Sequence, residues 1–436
     1  MKNAEASQHR YANYVLGILF VVMMLNFIDR QIVSILAESI KRDMGLSDKQ
    51  IGLMTGLSFA IFYTTLSIPI AILADRWNRS RIIALSAGIW SVMTILCGAA
   101  TSFLQLFLAR VGVGIGEAGS SPASHSLIAD LFPPERRATA LGIFAMSVSI
   151  GSFIAFTGGG WMAENIGWRA AFLVAGVPGL VVALLMWVTV PDPRGKRPLR
   201  EALKPIPGEV SLREAITELS KKKAYWHLVA AGAAISFVAY GVQTFYAPFF
   251  IRTHGIGFEE LGLKLGLMVL VFGSAGAFVG GKFGDYYNAK EQGSALIPPA
   301  LMLLFAIPCM YLAIYSDNVN TAMLILGIPQ FAFSFFYGPC FSSVQLLASD
   351  RTRAFSISIW LFFSGLIGLG LGPLTVGILS DFFAGGVAEN EALGLQKAIV
   401  IVTCVNIVAA IHFWLARKNL AKSLANSSAN DLAETP

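Results

Sequence analysis

Twelve long apolar segments dominate this chain of 436 residues. They lie at approximately 13–37, 51–74, 82–102, 104–129, 138–162, 168–190, 226–251, 260–284, 294–316, 320–348, 355–382 and 395–416. A helix needs about 20 predominantly apolar residues to cross the hydrocarbon core of a bilayer. Inside lipid each backbone N–H and C=O group must find its partner within the same segment, so segments of this length must be helical. The sequence therefore predicts an all-α integral membrane protein with 12 transmembrane helices.

The charged residues are too few to cover a water-soluble surface. Only 13% of the residues are charged, whereas soluble domains have roughly 25%. The net charge of +6 does not indicate a nucleic-acid partner, because the basic residues lie in short loops between the apolar segments. All four cysteines fall inside apolar segments without metal-ligand spacing. We therefore expect no nucleic acid, no metal and no cofactor.

The loops differ in basic charge. If the N-terminus is cytoplasmic, the cytoplasmic segments contain 23 of the 32 Lys and Arg residues and the outer segments contain 7. Lys and Arg are enriched in the short cytoplasmic loops of membrane proteins. We therefore expect both termini in the cytoplasm and, in a bacterial cell, a location in the inner (plasma) membrane.

The apolar segments form two related groups of six. We expect an N-terminal six-helix bundle at 1–190, a cytoplasmic linker at 191–224 with an amphipathic helix at 211–223, a C-terminal six-helix bundle at 225–416 and a disordered tail at 417–436. Ala71-Ile-Leu-Ala-Asp75 follows the second segment, and the similar Gly281-Lys-Phe-Gly-Asp285 follows the eighth, 210 residues later. The repeat predicts two pseudo-symmetric bundles, the arrangement of transporters whose halves move around a site at the membrane midplane.

The loop after the second segment carries a recognisable signature. Ala71-Ile-Leu-Ala-Asp75-Arg76-Trp77-Asn78-Arg79-Ser80-Arg81 resembles the loop 2–3 signature of the major facilitator superfamily, with alanine at 71 and asparagine at 78 where glycine is usual. The resemblance implies that Asp75 is a gate residue. Its carboxylate would accept hydrogen bonds from the backbone N–H groups at the N-terminus of the eleventh helix, near 353–356. We expect Asp130 to pair with Arg76, Arg79 or Arg81, and Asp285 to act as the equivalent of Asp75. The alternative is that these arginines only set the orientation.

Four charged residues lie at membrane depth in the first half. They are Asp29 and Arg30 in the first segment and Arg110 and Glu117 in the fourth. A charge at this depth costs roughly 2.5–3.5 kcal/mol on insertion scales, which marks a substrate or proton pathway. Adjacent helical residues point about 100° apart, so Asp29 and Arg30 each need a partner on another helix. The alternative is an ion pair that only joins the first helix to the fourth.

This set of charges is similar to that of the Spinster family within the superfamily. The resemblance rests on Asn26-Phe-Ile-Asp29-Arg30 together with Arg110 and Glu117. It implies a proton-coupled transporter of lysolipids or sphingoid phosphates. Asp29, and after it Glu117, would couple the proton, while Arg30, Arg110 and Asn26 would bind substrate or relay charge.

The second half offers aromatic and amide side chains instead of charges. We expect a substrate cavity lined by Tyr240, Gln243, Thr244, Tyr246, Phe335, Tyr337, Phe341, Gln345 and His125. An amphipathic ligand would suit a charged first half and an aromatic second half. Each aromatic residue taken singly is better explained by packing, and sugars also stack on such rings.

The sequence thus predicts a secondary active transporter that works by alternating access, as a monomer in the bilayer, on a small amphipathic lipid and protons. A small organic anion or a sugar is the alternative substrate, and a passive facilitator is the alternative mechanism. No metal cluster, nucleophile with its base, or pair of interfacial acids indicates an enzyme.

Overall fold

The computed structural model describes residues 2–193, 212–290, 294–349 and 352–433, and all regular structure among them is helical. The α-helices are α1 (Lys2–Met44), α2 (Asp48–Gly52), α3 (Ser58–Arg76), α4 (Arg79–Ala99), α5 (Phe103–Glu117), α6 (Ser120–Leu131), α7 (Pro134–Asn165), α8 (Trp168–Thr189), α9 (Leu212–Ser220), α10 (Lys223–Thr244), α11 (Tyr246–His254), α12 (Phe258–Met268), α13 (Ser274–Lys290), α14 (Ile297–Ile314), α15 (Val319–Phe335), α16 (Tyr337–Leu347), α17 (Arg353–Phe363), α18 (Gly372–Ala384), α19 (Glu391–Thr403) and α20 (Asn406–Ala433). Three π-helical segments continue these helices at Leu53–Leu57, Val269–Gly273 and Ser364–Leu371, and short 3₁₀ turns lie at Ser294–Leu296 and Ala388–Asn390.

Eleven helical stretches of the described chain are long and apolar enough to cross a membrane. The predicted fourth segment, 104–129, is the exception because it forms two shorter helices, α5 with 15 residues and α6 with 12. The break falls at Ala118 and Gly119, directly after the charged residue Glu117. The all-α membrane fold is confirmed, and its fourth membrane segment is a broken helix.

Polar side chains cap several helices where the sequence places them after a loop. Ser47 and Gln50 form a reciprocal capping box at the start of α2. Asn78 accepts the Arg81 N–H at the start of α4, and Ser102 accepts the Gln105 N–H at the start of α5. These bonds satisfy N–H groups that have no partner within the helix. They also fix where α4 and α5 begin, and therefore which faces these two helices present.

Two compact units follow from the contacts within the chain. Among the described residues, unit 1 contains 2–193 and 246–270, and unit 2 contains 212–245, 271–290, 294–349 and 352–433. Residues 246–270 thus pack with the first half of the sequence although they follow the linker. In unit 1 the backbones of α7 and α12 touch, because Gly160 lies against the Phe258 carbonyl and Gly262 against the Phe156 carbonyl. A side chain at either glycine would separate the two helices.

A buried ion cluster also holds residues 246–270 in unit 1. We call Glu38, Lys41, Asp48 and Arg252 the Arg252 cluster. Arg252 donates two hydrogen bonds of 2.7 Å to the two carboxylate oxygens of Asp48 and bonds Glu38 Oε2 at 2.8 Å. Lys41 Nζ reaches Asp48 Oδ1 at 3.0 Å. The Arg252, Glu38 and Asp48 side chains are 6% exposed or less, so α11 is joined to α1 and α2 by desolvated charges.

Helix α9 lies in the segment predicted to be the linker, and it packs in unit 2. Its apolar residues Ala215 and Leu219 are fully buried. Glu218 accepts from Ser349 Oγ at 3.0 Å and from Lys222 Nζ at 2.9 Å, and Lys222 also reaches the Leu347 carbonyl at 2.6 Å. Residues 194–211 of the predicted linker lie outside the described residues. In the predicted disordered tail, α20 continues to Ala433.

Candidate functional site

Glycines bring α5 into direct contact with its neighbours. A Cβ atom at Gly114 would lie 2.6 Å from the Phe59 carbonyl oxygen, and one at Gly116 would lie 2.5 Å from the Trp90 backbone nitrogen. Small residues at such positions let helix backbones approach closely. The glycines of this segment therefore serve close packing. Their packing places the Arg110 and Glu117 side chains against α3, α4 and α1.

Arg30 and Glu117 form the central ion pair of unit 1. Arg30 Nη2 lies 2.6 Å from Glu117 Oε2, with Arg30 Nε at 3.3 Å from the same oxygen. The Arg30 side chain is 10% exposed and that of Glu117 is fully buried. The Arg30 guanidinium also lies over the rings of Phe59 and Tyr63, at 4.9 and 4.6 Å from their centroids. Planar stacking of this kind favours arginine over lysine.

Asp29 has a different environment from Glu117. Its Oδ2 atom accepts a hydrogen bond of 3.0 Å from the Thr94 hydroxyl of α4. Its Oδ1 atom is buried without a hydrogen-bond partner, and the residue is 1% exposed. Asp29 and Arg30 therefore find partners on two different helices. Asp29 and Glu117 therefore differ in kind, since Glu117 is paired with a cation and Asp29 is held by a neutral hydroxyl.

Arg110 and Asn26 complete this group of buried polar residues. Arg110 is 2% exposed, its guanidinium lies 5.3 Å from the centroid of the Phe59 ring, and its Nε atom has no hydrogen-bond partner. The Nδ2 atom of Asn26 is likewise buried without a partner. Buried polar groups are usually hydrogen-bonded, and exceptions call for an explanation. Unit 1 thus presents an arginine and an amide whose hydrogen-bonding capacity is not used up.

The predicted gating residues are centred on Arg79, whose side chain is fully buried. It bonds Asp130 Oδ2 and Asp192 Oδ1, each at 2.8 Å. Of the three arginines predicted as possible partners of Asp130, Arg79 bonds it directly. Arg81 instead lies over the Trp187 ring at 5.3 Å.

The remaining gating residues are less informative. Arg76 is half-buried at the end of α3, and Asp285 is exposed on α13. The side chain of Asp75 lies outside the described residues. The hydrogen bonds from the eleventh helix to the Asp75 carboxylate therefore stay a prediction.

Unit 2 contains most of the predicted cavity residues. Gln243 Nε2 donates to Gln330 Oε1 at 3.0 Å, and Gln330 is 5% exposed. This pair joins α10 to α15 and leaves further amide atoms available on both side chains. The Thr244 hydroxyl donates to the Tyr240 carbonyl, one helical turn earlier. The amide pair is the main polar feature of the predicted cavity residues in this unit.

The aromatic residues of unit 2 form a packed group around Trp360. Phe341 lies 4.8 Å and Tyr337 6.2 Å from its ring, measured between centroids. Tyr337 is 37% exposed, whereas Phe335 is fully buried. Phe335 therefore serves packing, and Tyr337 remains accessible. Gln345 is exposed at the end of α16.

Two predicted cavity residues belong to unit 1. His125 is exposed, its Nδ1 donates to the Ser121 carbonyl over 2.9 Å, and its ring meets the Phe144 ring edge-on. Tyr246 is 2% exposed and its hydroxyl has no hydrogen-bond partner. Tyr246 and Gln243 therefore belong to different units, although only two residues of sequence lie between them.

Sequence reasoning missed four residues that the structure brings into these groups. Thr94 and Gln330 are uncharged polar residues within apolar segments, where nothing distinguishes them from other hydroxyls and amides. Asp192 follows the sixth segment in Pro191-Asp192-Pro193, and an acid after a membrane segment is a signal that was available. Arg252 is one of the seven basic residues of the outer segments, and its sequence neighbours give no sign of a buried partner.

Membrane-spanning helices that bury charged side chains, some with polar atoms that have no hydrogen-bond partner, are typical of an integral membrane transporter. The chain belongs to the Major Facilitator Superfamily, whose profile matches residues 19–373. It resembles the crystal structure of a bacterial homologue of the human lysosomal transporter Spinster in an inward-facing, unoccupied conformation. That likeness has a TM-score of 0.85 and 33% identity, and it covers 94% of this chain and 98% of the other. The predicted resemblance to the Spinster family is thereby confirmed.

Two relatives differ in what their names describe. An MFS-type efflux pump of Mycolicibacterium smegmatis is 32% identical over 415 residues, covering 95% of this chain and 94% of that protein. A probable galactarate/D-glucarate transporter of Bacillus subtilis is 26% identical over 346 residues, covering 74% and 76%. The chain is therefore a multi-pass membrane transporter, and these relatives leave its substrate open.

Proposed function

We propose that this protein is a proton-coupled secondary transporter that moves an amphipathic, anionic lipid by alternating access. The observation that carries the proposal is the contrast between Glu117 and Asp29. Both are buried carboxylates at membrane depth, but Glu117 has Arg30 at 2.6 Å while Asp29 accepts its hydrogen bond from the neutral Thr94 hydroxyl. A buried carboxylate whose hydrogen bond comes from a neutral group is more stable in its neutral form than one paired with a cation, since desolvation penalises the charge. Asp29 is thus the proton carrier, and Glu117 holds Arg30.

Proton and substrate are coupled through the arginines. When Asp29 loses its proton, its negative charge attracts Arg110, whose Nε atom has no partner in the state described. When Asp29 is neutral, Arg110 is available to an anionic ligand. A ligand shifts a conformational equilibrium only by its difference in affinity for the two states. Competition of the Asp29 carboxylate and an anionic head group for Arg110 supplies such a difference.

The chemistry of unit 2 favours an amphipathic substrate. Tyr337 and Phe341 are partly accessible rings beside Trp360, a surface suited to an acyl chain. The resemblance to the Spinster family implies lysolipids or sphingoid phosphates as substrates, which favours a lipid. A small organic anion is the second candidate, supported by the Gln243–Gln330 amide pair, which suits a polyhydroxylated ligand, and by the similarity to a galactarate/D-glucarate transporter.

Alternating access requires some contacts to open in each cycle. The Arg252 cluster is a contact of this kind, because α11 comes from the second half of the sequence and α1 and α2 from the first. The Arg79–Asp130–Asp192 cluster joins elements of the first half only, so it supports the loop after α3 throughout the cycle. With the cytoplasmic termini and inner-membrane location expected from the basic loops, the Arg252 cluster lies on the outer side.

The test uses liposomes that contain the purified protein and a pH-sensitive dye. Lysophospholipids, sphingoid phosphates, sugar acids and neutral sugars are added in turn. Proton flux with a lysolipid that is lost in Asp29→Asn supports the proposal. Flux with a sugar acid alone would replace the lipid by the second candidate and retain the coupling site. Full gradient-driven accumulation by Asp29→Asn would refute the assignment of the proton carrier, and transport unaffected by a protonophore would indicate a passive facilitator.

A further inference from the structure

The hydroxyl group of Thr94 makes an unusual contact for a buried hydroxyl of this chain. Many buried Ser and Thr side chains in the described helical segments bond a carbonyl about one turn earlier. Examples in unit 1 are Thr55 to Ile51, Ser58 to Met54, Thr64 to Ala60 and Ser124 to Ser120. Thr94 instead donates across to Asp29 Oδ2 on α1, over 3.0 Å. Thr94 is 1% exposed, so water does not compete for this bond.

From this contact we infer that Thr94 is a positioning residue that sets the proton affinity of Asp29 and determines which carboxylate oxygen takes the proton. The inference rests on the proposed role of Asp29 as proton carrier. Oδ2 is occupied by the Thr94 hydroxyl, whereas Oδ1 is buried without a hydrogen-bond partner. The proton therefore binds at Oδ1, where no donor has to be displaced.

A hydroxyl suits this position because it tolerates both states of the carboxyl group. It donates to the carboxylate, and its own oxygen has two acceptor sites. A hydrogen bond donated to the charged form stabilises that form. Thr94 thus makes the ionised state of Asp29 accessible within a dry site. A lysine or arginine there would hold the carboxylate ionised throughout the cycle.

The other groups that face Asp29 are few among the described residues. Glu117 and Arg110, both on α5, are charged residues that interact with it electrostatically. The thiol of Cys97 on α4 is the other titratable neighbour. Arg30, which follows Asp29 on α1, is engaged with Glu117. Thr94 is the one of these neighbours that donates a hydrogen bond to the carboxylate.

The test compares Thr94→Val, which keeps the shape and removes the donor, with Thr94→Ser, which restores it. Thr64→Val is the matched control, because the Thr64 hydroxyl is equally buried but bonds its own helix. Proton-driven transport is measured as a function of pH in liposomes. Loss of a hydrogen bond to a charged group changes the proton affinity by about ten-fold. We therefore expect the midpoint of the pH profile of Thr94→Val to move by about one unit to higher pH, with Thr94→Ser and Thr64→Val close to the wild type.

A second readout does not need transport. The infrared carbonyl band of a protonated carboxylic acid is assigned to Asp29 by its absence in Asp29→Asn and then titrated with pH. Thr94→Val should retain this band at higher pH and change its frequency, because Oδ2 loses its donor. An unchanged band and an unchanged pH profile in Thr94→Val would overturn the inference. If instead Asp29→Asn keeps both proton coupling and the band, the proposed function fails before Thr94 is tested.

Discussion

The Arg252 cluster permits a quantitative prediction. Replacing Arg252 by methionine keeps most of the side-chain volume and removes the hydrogen bonds to Asp48 and Glu38. The side chains of these two acids are 1% and 4% exposed, so their charges stay buried after the substitution. Removing one partner of a buried ion pair costs about 3–5 kcal/mol. Lys41 and Arg42 still contact the two acids, which favours the lower end of this range.

The consequence is a shift of population towards the state in which α11 is released. A change of about 3 kcal/mol corresponds to roughly a hundred-fold change in an equilibrium constant. Ala247 on α11 is 1% exposed, so a cysteine placed there reports this release. The measurement is the rate at which Ala247→Cys reacts with a membrane-impermeant maleimide, with Cys404 replaced by serine because it is exposed. We expect Arg252→Met to raise this rate by about a hundred-fold.

Arg169→Met is the matched control. Arg169 also pairs with an acid, Asp43, at 2.5 Å, but the two side chains are 44% and 46% exposed. An exposed pair contributes about 0–1 kcal/mol, so its loss should change the labelling rate less than about five-fold. Equal labelling rates in Arg252→Met and Arg169→Met would show that burial of the charges does not hold α11. A rate within two-fold of the wild type in Arg252→Met would refute the reasoning as a whole.

Two further predictions concern packing and the linker helix. Gly114→Leu should reduce the yield of folded, monodisperse protein in size-exclusion chromatography, because its Cβ would lie 2.6 Å from the Phe59 carbonyl oxygen and overpacking costs about 1–3 kcal/mol. Burial opposes ionisation of Glu218, but hydrogen bonds from Lys222 and Ser349 outweigh it and lower its pKa. The pKa of Glu218 is thus lower in the folded state than in the unfolded state. The ionised Glu218 side chain therefore stabilises the folded state at pH values above its unfolded pKa, and this stabilisation is lost as the pH falls through its folded pKa. Limited proteolysis of the linker should therefore accelerate on acidification in the wild type and be fast at every pH in Glu218→Gln.

The membrane fold follows from local features of the sequence. Apolar segments of spanning length must be helical wherever they meet lipid, and their approximate bounds and the depth of the charged residues depend on neighbouring residues alone. The superfamily signature and the buried charges could be read in the same way. The break in the fourth segment could not be predicted in this way. It leaves two helices, α5 and α6, that are each too short to span alone, and its position depends on what packs against Ala118 and Gly119.

Only the tertiary structure decided which charge meets which partner. Arg30 and Glu117 are 87 residues apart, Thr94 and Asp29 are 65 apart, and Arg252 and Asp48 are 204 apart. Such pairings depend on the rotation and depth of each helix, which are set by backbone contacts at glycines and by the packing of whole faces. A sequence shows that Asp29 is buried in a membrane segment. That it meets a neutral hydroxyl while Arg30 takes Glu117 depends on how α1, α4 and α5 are turned towards one another.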